Sequence, residues 1–168
     1  MRQIRLSGIA PQSLVNGQGL RKVYFSQGCT HHCKGCFNPE TWSFKDGQLF
    51  DINKLVDTLK DESYLDGVTF SGGDPLQQAE PFSYLAEKVK QLGMNIWCYT
   101  GYTWNQVVEL MSKDKYVNKL IRHLDIIVDG IFVESLKDDK LKYRGSSNQR
   151  IIDVQQTLKD KKITEILM

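Results

Sequence analysis

Val68-Thr69-Phe70-Ser71-Gly72-Gly73-Asp74-Pro75 reads as a short buried strand that closes on two glycines and a turn. The next stretch has a different period. Over Pro81–Leu92, Phe82, Leu85, Ala86 and Val89 form one stripe at helical spacing. Pro81 suits the first helical position and Gly93 the position past the end. Asn95–Tyr99 is strand-like again and ends at Thr100-Gly101. Strand, amphipathic helix and strand in this order make a βαβ unit, which takes roughly 30 residues or more.

The same alternation continues outward. Trp104–Ser112 reads as a helix capped by Thr103, and Lys115–Arg122 adds a helical turn or two. Ile126-Ile127-Val128 is an apolar strand stopped by Asp129-Gly130, and Ile151–Val154 is the last strand candidate. Towards the start, Asp51 caps a helix over Asp51–Lys60, with Ile52, Leu55, Val56 and Leu59 on one face. Lys22–Ser26, carrying Val23, Tyr24 and Phe25, is a strand ahead of it. Residues 1–21 form a lead-in with the turn formers Pro11, Asn16-Gly17 and Gly19, and the Lys-rich tail 155–168 receives no element.

Alternation of strands and helices argues for an α/β fold with a parallel sheet and crossover helices. About five or six βα units are too few for a closed eightfold barrel, which typically takes about 250 residues. An open, curved partial barrel or a doubly wound sheet remains. The 168 residues fit a single domain, 1–168. In either architecture ligands gather at the carboxyl ends of the strands. The segments that stand there are the loop after Ser26, Ser71–Pro75, Thr100-Gly101 and Asp129-Gly130.

Composition excludes more than it selects. Charged residues are 25% and the formal net charge is +2, so bulk electrostatics do not point to nucleic acid or a membrane. The cations of Leu136–Arg150 read as a solvated loop. No apolar run reaches membrane-helix length and no signal-peptide core follows Met1, so a cytoplasmic protein is expected. There, clustered cysteines are metal ligands or redox groups before they are structural disulfides.

The loop after Ser26 contains Cys29-Thr30-His31-His32-Cys33-Lys34-Gly35-Cys36, three of the chain's four cysteines. A structural zinc site wants four tight ligands. The fourth here would be His31, His32 or Cys98, and the histidines lie on the same tight loop. Cys33 and Cys36 alone would suit a redox dithiol, but Cys29 makes a third thiol at a fixed short distance. Three thiolates suit an iron–sulfur cubane with one iron left open. Cys98, in an apolar strand, reads as a small core residue. His31 and His32 read as exposed loop residues. Tyr99 and Thr100 stand at a strand end. Asp129 is a polar group at the sheet's mouth or a turn cap, and Asn148 and Arg150 are partner contacts or loop anchors.

Cys29-x3-Cys33-x2-Cys36 after the first strand resembles the signature of the radical S-adenosylmethionine superfamily, and Ser71-Gly72-Gly73-Asp74-Pro75 resembles its Gly-Gly-Glu segment. More narrowly, Cys33–Asn38 with Thr41-Trp42, Asn16-Gly17, Ser71–Leu76, Trp97–Tyr102, Val128–Gly130 with Phe132, and Arg144–Gln149 resemble the activating proteins of anaerobic ribonucleoside-triphosphate reductase. Gly35 stands where most of the superfamily has an aromatic residue, with Phe37 the nearest aromatic, and Asp74 stands in place of Glu. Both features match the narrower group.

The resemblance implies an open partial (β/α) barrel of radical S-adenosylmethionine type, with a [4Fe-4S] cluster on Cys29, Cys33 and Cys36. It implies S-adenosyl-L-methionine held along Gly35, Cys36, Phe37, Gly72, Gly73, Asp74 and Thr100, with no catalytic residue beyond these ligands. The implied activity is that of an oxidoreductase. One electron from a low-potential donor such as a flavodoxin cleaves the sulfonium to methionine and a 5′-deoxyadenosyl radical. That radical takes hydrogen from a glycine Cα of the large reductase subunit. Related readings are an activase of another glycyl-radical enzyme or a 7-carboxy-7-deazaguanine synthase-like enzyme. The reading of a different class is a non-catalytic iron–sulfur or zinc binding module.

Overall fold

The computed structural model describes residues 2–168. Its seven-stranded sheet has the order β3-β1-β2-β4-β5-β6-β7. The strands are β1 (Gln3–Ser13), β2 (Arg21–Ser26), β3 (Gln48–Asp51), β4 (Gly67–Gly72), β5 (Asn95–Tyr99), β6 (Ile126–Asp129) and β7 (Arg150–Asp153). The helices are α1 (Ile52–Lys60), α2 (Ala79–Gln91), α3 (Trp104–Lys113), α4 (Lys115–His123) and α5 (Val154–Asp160).

Four strands, β2, β4, β5 and β6, are mutually parallel. The connections between them carry α1, then α2, then α3 with α4. The expected βα pattern therefore holds in the middle of the sheet, with fewer parallel strands than five or six units would supply. Antiparallel strands complete both edges: β1 and β3 beside β2, and β7 beside β6.

The lead-in contains the first of these edge strands. Ile4 and Leu6 are fully buried at alternate positions, a strand period that the turn formers conceal. Gly8 and Pro11 sit where the β1–β2 register shifts, and bulges are where a strand accommodates such residues. The second helix begins at Ala79, ahead of the expected Pro81, because a 3-10 turn over Pro75–Gln78 leads directly into it. Pro81 stays within the first turn, where backbone amides have no intrahelical acceptor. The tail begins with α5, capped by Asp153, and its end pairs with β7 through Ile166 N and Ile151 O at 2.7 Å.

The strands alternate between two environments. Tyr24, Phe70, Cys98, Ile127 and Ile152 point to one face and join a core with residues from all the helices, α5 contributing Val154. Trp97, Val128 and Ile151 point the other way, packing with Tyr99, Tyr143 and Ile166 and with no helical residue in their cluster. Helices thus cover one face, which is the finding against a doubly wound sheet. The other face carries polar groups as well. At its amino end Arg21 is 1% exposed, donating to Thr69 Oγ1 (2.9 Å), Val68 O (2.8 Å) and Asn95 Oδ1 (2.8 Å). Burial pulls its pKa down to about 10.

Candidate functional site

At the carboxyl ends of the parallel strands this second face opens into a cavity of about 800 Å³. Cys29, Cys33 and Cys36 lie on its wall together with Phe37, Gly72, Gly73 and Thr100. Residues far apart in sequence therefore meet at one place, as the order of the parallel strands requires.

Backbone hydrogen bonds explain the meeting. β2 and β4 pair in register up to Ser26 and Gly72. The pairing then runs on as Gly73 N donates to Ser26 O (2.7 Å) and Asp74 N donates to Gly28 O (2.9 Å). The cysteine loop begins at that point. Its two ends are tied together by Gly28 N to Thr41 O (2.6 Å) and Cys29 N to Trp42 O (3.1 Å). Glycine is required at two positions. Gly72 has φ +91°, and a Cβ there would lie 2.5 Å from Ser26 N; a Cβ on Gly73 would strike Gly28 O.

The sulfurs sit in graded environments. Cys29 is buried, and Cys33 and Cys36 are half-buried. Burial pushes the Cys29 thiol up to about 11, against the backbone amides of His31 and His32 that face its sulfur. Burial also raises Cys33, opposed by the Phe132 amide across the cavity. Asn38 N donates to Cys36 Sγ at 3.4 Å. Backbone N–H groups directed at cysteine sulfur are a feature that tunes iron–sulfur centres.

Of the three residues considered as a fourth ligand, only His31 reaches the cavity wall. Cys98 is fully buried in the core beneath the helices, as expected. His32 is exposed and stacks on Trp42 at 4.4 Å. His31 does not conform to the expectation of an exposed loop residue: its side chain is 15% exposed, and Nε2 lies 2.7 Å from Asp74 Oδ2. Among the described residues no three His, Cys, Asp or Glu side chains group closely enough for a single metal ion. A cubane makes a different demand, one iron for each cysteine, and three cysteines on one cavity wall fit it.

Two other expected contacts are displaced from the wall. Gly35 is exposed with φ +75°, and a Cβ there would lie 3.1 Å from Glu134 and 3.3 Å from Phe132. A left-handed turn packed on those side chains explains why no aromatic residue stands there. Asp74 is fully buried behind the wall, where it accepts from Leu76 N (3.0 Å), Gly101 N (3.0 Å) and the Thr100 hydroxyl (3.0 Å). Thr100 reaches the wall, but its hydroxyl is turned to Asp74. Phe37 is 60% exposed and rests on Phe132, 4.9 Å between ring centres.

The remaining candidates anchor loops. Asp129 pairs with Arg150 at 2.6 Å and accepts from Trp104 N at the start of α3. Asn148 donates to Ile131 O at 2.8 Å, and Gln149 donates to Gly130 O at 3.0 Å. These bonds fix residues 144–149 over the cavity, where Tyr143, Arg144 and Gln149 contribute to the wall. Leu14, Val15 and Trp42 also line it. Sequence reading assigned none of these a role. Thr41-Trp42 and Arg144–Gln149 carried a signal only as segments shared with a family.

The chain matches the family model described as "4Fe-4S single cluster domain" over residues 15–152. It is 38% identical over 149 residues to a protein of Enterobacteria phage T4 named anaerobic ribonucleoside-triphosphate reductase-activating protein, covering 85% of this chain and 90% of that one. Proteins of the same name from Haemophilus influenzae (37% over 149 residues; 84% and 92% covered) and Escherichia coli K12 (39% over 150 residues; 83% and 92%) are similarly related. The chain belongs to the anaerobic ribonucleoside-triphosphate reductase-activating protein family. The match to the 4Fe-4S single cluster domain, residues 15–152, spans the cysteine loop, the Gly72-Gly73 strand end and the 144–149 loop together.

Proposed function

We propose that this protein activates an anaerobic ribonucleoside-triphosphate reductase by generating a glycyl radical on its large subunit. The observation that carries the reading is the single cavity that brings Cys29, Cys33 and Cys36 to Gly72, Gly73 and Thr100. The names of the relatives supply the partner. Helices on one face of a mixed sheet, and a cavity on the other, support an open partial barrel of radical S-adenosylmethionine type formed by residues 1–168 as one domain.

Cys29, Cys33 and Cys36 would hold a [4Fe-4S] cluster, and the open iron would meet S-adenosylmethionine along the Gly72-Gly73 backbone. When bound and reduced by one electron, this pair supplies cleavage of the sulfonium and, with it, removal of a hydrogen atom from a glycine Cα. The protein's own contribution is placement. Gly72 and Gly73 let the strand end approach a ligand without a side chain between. Cys36 and Phe37 carry the loop along the wall, Gly35 shapes its turn, and Asp74 holds Thr100 from behind. The open cavity leaves room for a segment of the partner. A low-potential donor such as a flavodoxin would supply the electron, and the reaction suits the cytoplasm. Among the described residues no helix is long and apolar enough to cross a membrane.

The test is anaerobic reconstitution with iron and sulfide, reduction, and assay for 5′-deoxyadenosine and methionine. The expected result is formation of both in the cluster-loaded protein. A well-reduced, cluster-loaded sample that yields neither contradicts the reading and leaves a binding module.

A further inference from the structure

The cysteine loop is fastened to the neighbouring strand end by side chains as well as backbone. Thr30 N donates to Gln77 Oε1 (2.9 Å), and Gln77 Nε2 donates back to the Thr30 hydroxyl (2.8 Å). The next residue, His31, reaches Asp74 at 2.7 Å. Both residues lie between the first two cysteines, and both partners lie just past Gly72-Gly73.

Asp74 makes the second of these ties unusual. It is fully buried, and a buried carboxylate is costly unless donors surround it. Its oxygens collect Leu76 N, the Thr100 hydroxyl, Gly101 N and the His31 ring. One carboxylate thereby joins three parts of the cavity: the cysteine loop, the Gly-Gly segment and the end of β5. The imidazole has little room to leave. A Cβ on Gly101 would lie 2.5 Å from His31 Cδ2, and Tyr102 meets the ring edge-on at 4.7 Å.

We propose that His31 and Asp74 are a positioning pair that sets the cysteine loop at its working distance from the Gly72-Gly73 strand end. The inference rests on the cluster-and-cofactor reading of the proposed function. Its physical content is separable from cluster assembly. The cysteines hold iron, while the pair fixes where that iron stands relative to a cofactor bound along Gly72-Gly73. Outer-shell groups that orient metal ligands typically cost about 10–100-fold in metal affinity or activity when removed, and a loss of the lower order is expected here in cofactor affinity.

The parent protein, His31→Ala and His31→Gln are reconstituted anaerobically and compared in three measurements. These are iron and sulfide content, S-adenosylmethionine affinity by equilibrium dialysis, and the change the cofactor produces in the EPR spectrum of the reduced cluster. His31→Ala should keep the parent's iron and sulfide, bind the cofactor roughly 10-fold or more weakly, and show a diminished spectral change. His31→Gln, whose amide can donate to Asp74, should recover both. Parent-like affinity and spectrum in His31→Ala overturn the proposal. Loss of the cluster in His31→Ala also overturns it, by making His31 a residue of assembly. So does a cluster-loaded His31→Gln as defective as His31→Ala, because the imidazole would then act in its own right. A loaded parent that binds no S-adenosylmethionine overturns the proposed function and this inference together, whereas a parent that binds it beside contradicting variants overturns this inference alone.

Discussion

On the face of the sheet beneath the helices, Tyr24, Phe70, Cys98, Ile127 and Ile152 are fully buried and apolar neighbours fill the space around them. On the opposite face the adjacent residues of the same strands, Phe25, Ser71 and Tyr99, line a cavity. Strand pleating sends neighbours to opposite sides, so one backbone serves two purposes. The packed face is where stability resides, and the open face is free to hold a site because the other has no need of it. Two cysteines state the contrast most simply: Cys98 belongs to the packed face, Cys33 to the open one.

That contrast can be tested by substitution, beginning with the largest effect. Cys33→Ala should abolish both cluster incorporation and cofactor cleavage, whereas Cys98→Ala should retain both; iron analysis and 5′-deoxyadenosine yield measure the difference. Cluster-dependent turnover in Cys33→Ala would disprove the ligand assignment. Phe82, fully buried against Phe70, should cost about 3–5 kcal/mol in chemical denaturation when replaced by alanine, with Phe37→Ala, 60% exposed, far less costly. Equal losses would mean that the open face carries the stability too.

Gly73 lies between the two extremes. A side chain there meets Gly28 O, and Thr41 O at 3.0 Å, so Gly73→Ala must push the strand end from the cysteine loop. We expect about 1–3 kcal/mol of destabilisation together with weaker S-adenosylmethionine binding by equilibrium dialysis. A stable variant with parent-like binding would show that the close approach is not needed.

The smallest effect concerns Cys29 before any metal is bound. Burial pushes its pKa up to about 11, so the folded chain holds that proton after the unfolded chain, with a thiol at about 8.5, has released it. The folded state then binds more protons, and this contribution to stability is present below the unfolded pKa and declines as pH rises through the folded one. Alkylation of Cys29 in the metal-free protein, followed by peptide mass spectrometry, should show a midpoint well above that of the denatured control. Coincident midpoints would contradict the burial of Cys29.

The packed face was legible in the sequence because its signal is periodic. Ile52, Val56 and Leu59 in α1, or Phe82, Leu85, Ala86 and Val89 in α2, repeat at helical spacing and are buried as that spacing requires. The parallel strands and the order of their carboxyl-end loops followed from the alternation. The β3-β1 edge did not, because β1 combines Ile4 and Leu6 with Gly8 and Pro11, and its register shifts at those residues; the other edge strand, β7, was expected at Ile151–Val154, though not its antiparallel direction. At the site, the cysteine spacing identified the three residues that share the wall. Side-chain direction was not legible. His31 and His32 are adjacent and alike, yet one is bound to a buried carboxylate and the other is exposed against Trp42. That choice depends on Asp74 and Gly101, residues far along the chain that only the sheet brings near.

On the proposed function, the open face joins a cluster on Cys29, Cys33 and Cys36 to S-adenosylmethionine so that a partner glycine is activated. The direct measurement is EPR after the reduced, cluster-loaded protein and S-adenosylmethionine are mixed with the anaerobic ribonucleotide reductase large subunit. The expected result is a glycyl-radical signal on the reductase that grows with 5′-deoxyadenosine and is absent with Cys33→Ala. A protein that cleaves S-adenosylmethionine yet never produces that signal would contradict it.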